Sequence, residues 1–337
     1  MTMTVVLRSS VTRISDIDQQ PFEIARILKD QWATGDYVVG EITGPQNREL
    51  QVELASGRMV QGLRRDQVIG AFGNRSATLE ATGSWQDIEG DAMHAMTSAG
   101  LFGRVTSLST MIAPLTTLDY VGHVVRDGKK VCMPDFRIRS EGSFNVPSVL
   151  LVGTSMSSGK TTTGRLVVHE LERMGLNVIG AKLTGAGRYR DILSFRDAGA
   201  TAIFDFVDAG LPSTVVPEAE FRHVIRPLLN HIDSLGPDVA VIEAGASPLE
   251  PYNGEAAIDE IGEANIRCKI LCASDPYSVV GVEKAFGLRP DIVTGPATST
   301  SAAIDLVKKL TGVDALNIMD PECLPALRNV LKESLGL

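Results

Sequence analysis

Leu150-Leu-Val-Gly-Thr-Ser-Met-Ser-Ser-Gly-Lys-Thr-Thr-Thr-Gly-Arg-Leu166 joins three patterns in one run. Residues 149–152 are continuously apolar, as a buried strand is, and the run ends at Gly153. Small polar residues follow, and Gly159-Lys160-Thr161 then opens a segment, 161–174, with helical apolar spacing and Gly175 to end it. In a strand, a short polar loop and a helix placed in that order, backbone N–H groups and the helix dipole converge on an anion. The expected cradle for a nucleotide's phosphates is Gly153, Thr154, Ser155, Ser157, Ser158, Gly159, Lys160, Thr161 and Thr162. Within it Lys160 reaches the β- and γ-phosphates, and the Thr161 hydroxyl is placed to ligate Mg²⁺. The spacing departs from the usual pattern: five residues separate Gly153 from Gly159, and Thr154 takes the usual first-glycine position.

On either side of this run the chain reads differently. After it, apolar strands alternate with amphipathic helices. Strands are expected at 177–181, 201–206, 239–243, 270–273, 291–294 and 315–318, and helices at 220–234, 280–286, 299–310 and 321–335. That alternation predicts α/β architecture, a parallel sheet covered on both faces. Before it, period-2 alternation and glycine punctuation predict a β-rich barrel or sandwich. Residues 49–54 alternate as a strand, a turn at Ser56-Gly57 follows, and 59–63 return. Asp127-Gly128 marks a hairpin, and one helix is expected at 88–99, ended by Gly100. The domains expected are 1–145, β-rich, and 146–337, α/β.

Open α/β sheets bind ligands at the carboxyl ends of their strands. Lys182 ends the second strand of the α/β half, and Glu243 ends the strand at 239–242, before Ala244-Gly245-Ala246. Glu243, with Asp191 on the following helix, is a hard oxygen ligand suited to Mg²⁺ beside Thr161. Asp205 is a charge inside an apolar run, which is costly unless paired. Arg188 and Arg190, flanking Tyr189, offer bidentate grips for a carboxylate, and Tyr252-Asn253 lies in a turn whose resemblance to a known family's Pro-Tyr-x-Gly segment implies a place on the substrate side. Thr294-Gly295-Pro296, at the end of the strand expected at 291–294, is a candidate for base contacts. The histidines show no ligand spacing, and no Gly-x-Ser-x-Gly elbow occurs.

Composition narrows the partners. Lys plus Arg number 32 against 41 Asp plus Glu, a net charge of −9, which disfavours nucleic acid. No apolar run reaches the ~20 residues of a membrane span, so no membrane partner is expected. Residues 1–18 lack an apolar core before a small-residue cleavage site, so export is not expected. Four scattered cysteines, Cys132, Cys268, Cys272 and Cys323, suit a reducing, cytoplasmic setting, with Cys268 and Cys272 as buried core.

The loop G-T-x(4)-G-K-T resembles that of P-loop NTPases of the dethiobiotin-synthetase type. That resemblance implies a second lysine ending the next strand (Lys182 in AKLTGAG), a magnesium-holding carboxylate (Asp191 in RYRDIL) and a glutamate turn after the Walker-B-like strand (Glu243 in VIEAGAS). It implies an ATP- and Mg²⁺-dependent enzyme that activates a carboxylic or amino acid by phosphoryl transfer and forms an amide, with Lys160, Lys182 and Glu243 as catalytic groups. It also implies a homo-oligomer, since related enzymes complete their sites across subunits. GTSMSSGKTTT, IFDFVDAG, VIEAGASPLEPYNG and KILCAS further resemble a domain-of-unknown-function family that includes D-glutamate N-acetyltransferases. That second likeness implies an acetyl-CoA pyrophosphate in the loop and an amino acid acceptor. Where that family has Thr-Gly-Gln-Thr-Gly, this chain has Lys182-Leu-Thr-Gly-Ala-Gly, closer to the synthetase pattern. A nucleotide-dependent switch of the partition type is the third expectation.

Overall fold

Six strands of the α/β half lie parallel in one sheet: β1 (Ser148–Gly153), β2 (Val178–Thr184), β3 (Ala202–Asp205), β4 (Val239–Ala244), β5 (Ile266–Cys272) and β6 (Ile292–Thr294). In space their order is β3-β2-β4-β1-β5-β6. Every residue of β1, β2 and β4 is buried, as expected of strands with helices on both faces. The helices are α1 (Lys160–Arg173), α2 (Tyr189–Asp197), α3 (Glu218–Ser234), α4 (Gly254–Ile261), α5 (Pro276–Phe286), α6 (Ser301–Thr311) and α7 (Leu324–Leu335). Helix α3 shows why they form: it buries Phe221, Val224, Ile225, Leu228, Leu229 and Ile232 along one stripe. This computed structural model describes residues 6–44, 51–245 and 247–337.

Register brings the chemistry together. Lys182 pairs with Asp205 on one side and Glu243 on the other, and Glu243 pairs with Leu151, two residues before the loop. Residues paired in this way point to the same face of a sheet. Lys182, Asp205 and Glu243 therefore form one row at the carboxyl edge, beside the strand that feeds the loop. Helix α2 is seated by Phe195: a Cβ on Gly164 of α1 would collide with its ring, and one on Gly180 of β2 would stand 2.7 Å from its Cδ2.

In the β-rich half, five strands close into a ring. Tyr37–Ile42 pairs antiparallel with Gln67–Phe72 and with Thr117–Arg126. Ala92–Ala95 pairs antiparallel with Thr117–Arg126 and with Leu101–Leu108, and the last joins Gln67–Phe72 in parallel. The result is a small barrel filled by Trp32, Val38, Ile42, Val68, Phe72, Ile88, Met93, Phe102, Leu118 and Tyr120. The Asp127-Gly128 hairpin forms with both residues at positive φ, 50° and 72°. The strand expected at 49–54 is present as Val52–Glu53, paired with Met59–Val60; residues 45–50 lie outside those described.

Two expected elements are corrected. The helix at 88–99 is absent: Trp85–Asp87 is a 3-10 turn, Gly90 turns the chain at φ 63°, and Ala92–Ala95 is a barrel strand. Its apolar residues suggested a helix because Ile88, Met93, Met96 and Ala99 all point inward, here from a turn, a strand and a loop. The strand at 315–318 reduces to one bridge between Ala315 and Val293. Helix α4 was not anticipated in the sequence.

By internal contacts the described chain falls into two units. The first holds residues up to Ile138 together with Ala186–Arg190 and Phe206–Pro217; the second holds Arg139–Gly185, Asp191–Asp205 and Glu218–Leu337.

Candidate functional site

Strand β1 delivers the chain into a loop that closes on itself. The Thr154 N–H donates to the Cys272 carbonyl at 3.0 Å, fixing the loop's first residue to the end of β5. The Ser158 hydroxyl donates to the Ser155 carbonyl at 2.9 Å. Gly159 adopts φ 94°, which L side chains rarely take, and reverses the chain into α1. Gly153 must also be glycine: a Cβ there would run into the Lys160 ammonium, with the Ser158 hydroxyl 2.5 Å away.

Lys160 lies inside this loop, 3% exposed, its Nζ donating to the Ser155 carbonyl at 2.6 Å. Burial pulls its pKa below the ordinary lysine value, against the opposing charges of Glu243 and Glu250. Glu250 is a group that sequence reasoning missed, although it lies within the quoted segment VIEAGASPLEPYNG. An ammonium set among carbonyl and hydroxyl oxygens, with the open amides of a helix start beside it, fits an anionic phosphate.

One residue further on, the Thr161 hydroxyl donates to Glu243 Oε2 at 3.0 Å. The other Glu243 oxygen, Oε1, stands 3.8 Å from Lys182 Nζ, which in turn is 2.6 Å from Asp191 Oδ2. Lys182 and Glu243 are 7% and 3% exposed. Burial alone would lower the Lys182 pKa, but Asp191, Glu243 and Asp205 outweigh it and hold the pKa above the ordinary value. These carboxylates thus favour the ammonium form of Lys182. The chain Thr161–Glu243–Lys182–Asp191 gathers four expected site residues into one hydrogen-bonded and ion-paired line, and Asp205 adds its charge to it.

Mg²⁺ asks for little from a protein: one or two carboxylates and a hydroxyl, with waters and phosphate oxygens completing the octahedron. Thr161 and Glu243, already in contact, meet that demand, and Asp191 is two contacts away. Among the described residues no group of three or more His, Cys, Asp or Glu is arranged to hold a metal by itself.

Other expected residues are placed differently. Ser157 and Thr162 are exposed on the rim of the loop. Tyr252 is 3% exposed, and Asn253 takes φ 60° at the start of α4, so this turn packs and directs the chain. Gly254 fits there because a Cβ would press on Pro248 Cα at 2.8 Å. Arg188 and Arg190 are exposed and belong to the first unit. Gly295 packs on the loop: a Cβ on it would strike the Ser158 carbonyl, and Thr298 Oγ1 donates to the Gly295 carbonyl at 2.9 Å. Cys272 is buried with its thiol 3.3 Å from the Thr163 hydroxyl.

No protein-family model matches this chain, and no curated protein sequence matches it significantly. Solved structures similar to it include three with identities of 13–17%. The 54 kDa signal recognition particle protein of Aeropyrum pernix K1, in complex with GDP, is 17% identical, with a TM-score of 0.38 over 58% of this chain and 47% of that one. Hydrogenase maturation factor HypB of Archaeoglobus fulgidus is 13% identical, with a TM-score of 0.35 over 57% and 91%. A DUF1611 family protein of Anabaena variabilis ATCC 29413 is 15% identical, with a TM-score of 0.36 over 59% and 61%. The chain spans about half the length of the first of these. At such scores the likenesses say nothing of chemistry. The P-loop NTPase-like fold of the second unit rests on its own strand order, its strand–loop–helix and the carboxylate row beside it.

Proposed function

We propose that the α/β unit binds ATP with Mg²⁺ at loop 153–162 and transfers the γ-phosphoryl group to the carboxylate of a small acid, on the way to an amide. The observation that carries this reading is the line from Thr161 through Glu243 and Lys182 to Asp191, which begins one residue beyond the buried Lys160. A loop that only held phosphate would not need a second, charged lysine at the same edge. That lysine also matches the dethiobiotin-synthetase pattern better than the acetyltransferase one.

In phosphoryl transfer the protein mainly positions reactants and neutralises charge. Lys160 and the loop amides hold the phosphate chain. Thr161 and Glu243 would hold Mg²⁺, with Asp191 as a further carboxylate, and the ion would supply charge neutralisation for the phosphoryl group. Lys182 offers its ammonium to the acceptor's carboxylate, aligning an oxygen for attack. The substrate class is accordingly a small carboxylic or amino acid.

Calorimetry on the full chain tests the reading. Wild type binds ATP in the presence of Mg²⁺, and Lys160→Ala weakens binding by about 100-fold, in keeping with charge-assisted contacts of 1.5–3 kcal/mol, while leaving the melting temperature close to wild type. Equal ATP affinity in the two proteins would sink the proposal. ADP release that depends on a carboxylic acid marks the ligase. Acetyl transfer from acetyl-CoA without ATP marks the acyltransferase, and hydrolysis indifferent to small acids marks a nucleotide switch.

A further inference from the structure

We infer that Glu53 is a positioning residue for the proposed site: it clamps the first turn of α2 and so fixes Asp191 against Lys182. The importance of that ion pair rests on the function proposed above; the clamp itself does not.

Glu53 is fully buried, at the inner end of the short hairpin Val52–Glu53 with Met59–Val60. Its Oε2 accepts the Tyr189 N–H at 2.8 Å and the Ser10 hydroxyl at 2.5 Å, and its Oε1 accepts the Arg190 N–H at 2.9 Å. A helix start leaves amides without partners, and a carboxylate there satisfies both the hydrogen bonds and the dipole. Caps normally come from the residue just before the helix. In α2 that residue is Arg188, which has no side-chain oxygen, and the acceptor arrives from 136 positions upstream.

The same segment is held at further points. The Gly187 N–H donates to the Pro212 carbonyl at 3.1 Å. The Arg13 guanidinium lies 4.4 Å over the Tyr189 ring and bridges to Asp208 at 2.9 Å. A buried carboxylate is costly unless fully hydrogen-bonded, and this one spends its oxygens on three donors, two of them from a single helix turn. Asp191 is the next residue after the clamped pair, and its carboxylate lies 2.6 Å from Lys182. Fraying of the turn by one residue withdraws that carboxylate.

Two readouts on the full-length chain test this, neither requiring activity. In Glu53→Gln, which keeps one acceptor and loses the charge, the first-turn amides of α2 exchange hydrogen about tenfold faster than in wild type, the loss expected of a helix cap. Lys182 becomes several-fold more reactive toward an amine-acylating reagent, matching Asp191→Asn, while Lys160 labelling is unchanged. Ser10→Ala, which leaves the carboxylate in place, moves both readouts in the same direction by less and covers the case of a poorly folding Glu53 variant. Unchanged α2 exchange in both variants overturns the clamp. Faster exchange with Lys182 as unreactive as in wild type overturns its positioning role. Loss of the ATP-binding proposal would show instead in the calorimetry of wild type and Lys160→Ala, and would leave both readouts untouched.

Discussion

At the scale of single residues, the loop was legible because its chemistry demands particular types in a fixed order. Gly153, Gly159, Lys160 and Thr161 each do what their type permits: two make room or turn the chain, one brings charge, one brings a hydroxyl. Lys182 and Glu243 were legible as polar residues ending apolar runs. Glu53 was not, because its role depends on a contact 136 positions away that no local pattern encodes. The cysteines give a further prediction at this scale. Burial pushes the thiols of Cys272 up to about 11, Cys268 to about 12 and Cys132 to about 12. At pH 8 their thiolate fractions fall to about 10⁻³ or below, and the thiolate is the reactive form. In the native protein iodoacetamide should therefore modify Cys323 first, as peptide mapping would show. Alkylation of Cys272 ahead of Cys323 would mean that the end of β5 opens in solution.

At the scale of elements, β1 and β4 followed the apolar patterns closely, since fully buried strands leave continuous runs, whereas β5 and α5 begin at Ile266 and Pro276, ahead of the expected 270 and 280. The failures had physical causes. Residues 88–99 carry inward-pointing apolar groups in a spacing that mimics a helix, and only pairing with Leu101–Leu108 and Thr117–Arg126 makes part of them a strand. Helix α2 illustrates how an element is seated by small residues elsewhere. Gly164 and Gly180 leave space for the Phe195 ring, and no propensity scale records that need. Gly164→Ala should destabilise the protein by about 1–2 kcal/mol, overpacking outweighing the gain in helix propensity. Phe195→Leu in the same chain should recover part of the loss, giving a favourable interaction energy in a double-mutant thermal-melt cycle. Additive effects would place the crowding somewhere other than that ring.

At the scale of the whole molecule, glycine punctuation and alternation announced a β-rich half, but closure into a ring rests on long-range pairings such as Phe102 with Phe72. The barrel also contains a polar knot that composition does not reveal. Asp36, 2% exposed, accepts from the Ala33 N–H at 2.8 Å and from Lys130 at 2.7 Å, and lies 3.2 Å from His123 Nε2. His123 Nδ1 meets the Tyr120 hydroxyl at 2.6 Å, and the indole of Trp32 lies tilted, 4.7 Å from the Tyr120 ring and 4.7 Å from that of Phe72. His123 thus links the Asp36 carboxylate to the Tyr120 hydroxyl through its two ring nitrogens. Removing that carboxylate should be costly, because the fully buried His123 would lose the partner of its Nε2 while the Ala33 N–H and Lys130 lose theirs. Asp36→Ala should lower stability by about 3 kcal/mol, the scale of breaking a buried pair. His123→Phe, which removes donor and acceptor together and fills the aromatic cluster, should cost less, since no imidazole is then left to satisfy. The two denaturation curves measured side by side decide the matter. A His123→Phe loss equal to or above that of Asp36→Ala would show that the imidazole, and not the carboxylate, anchors the barrel.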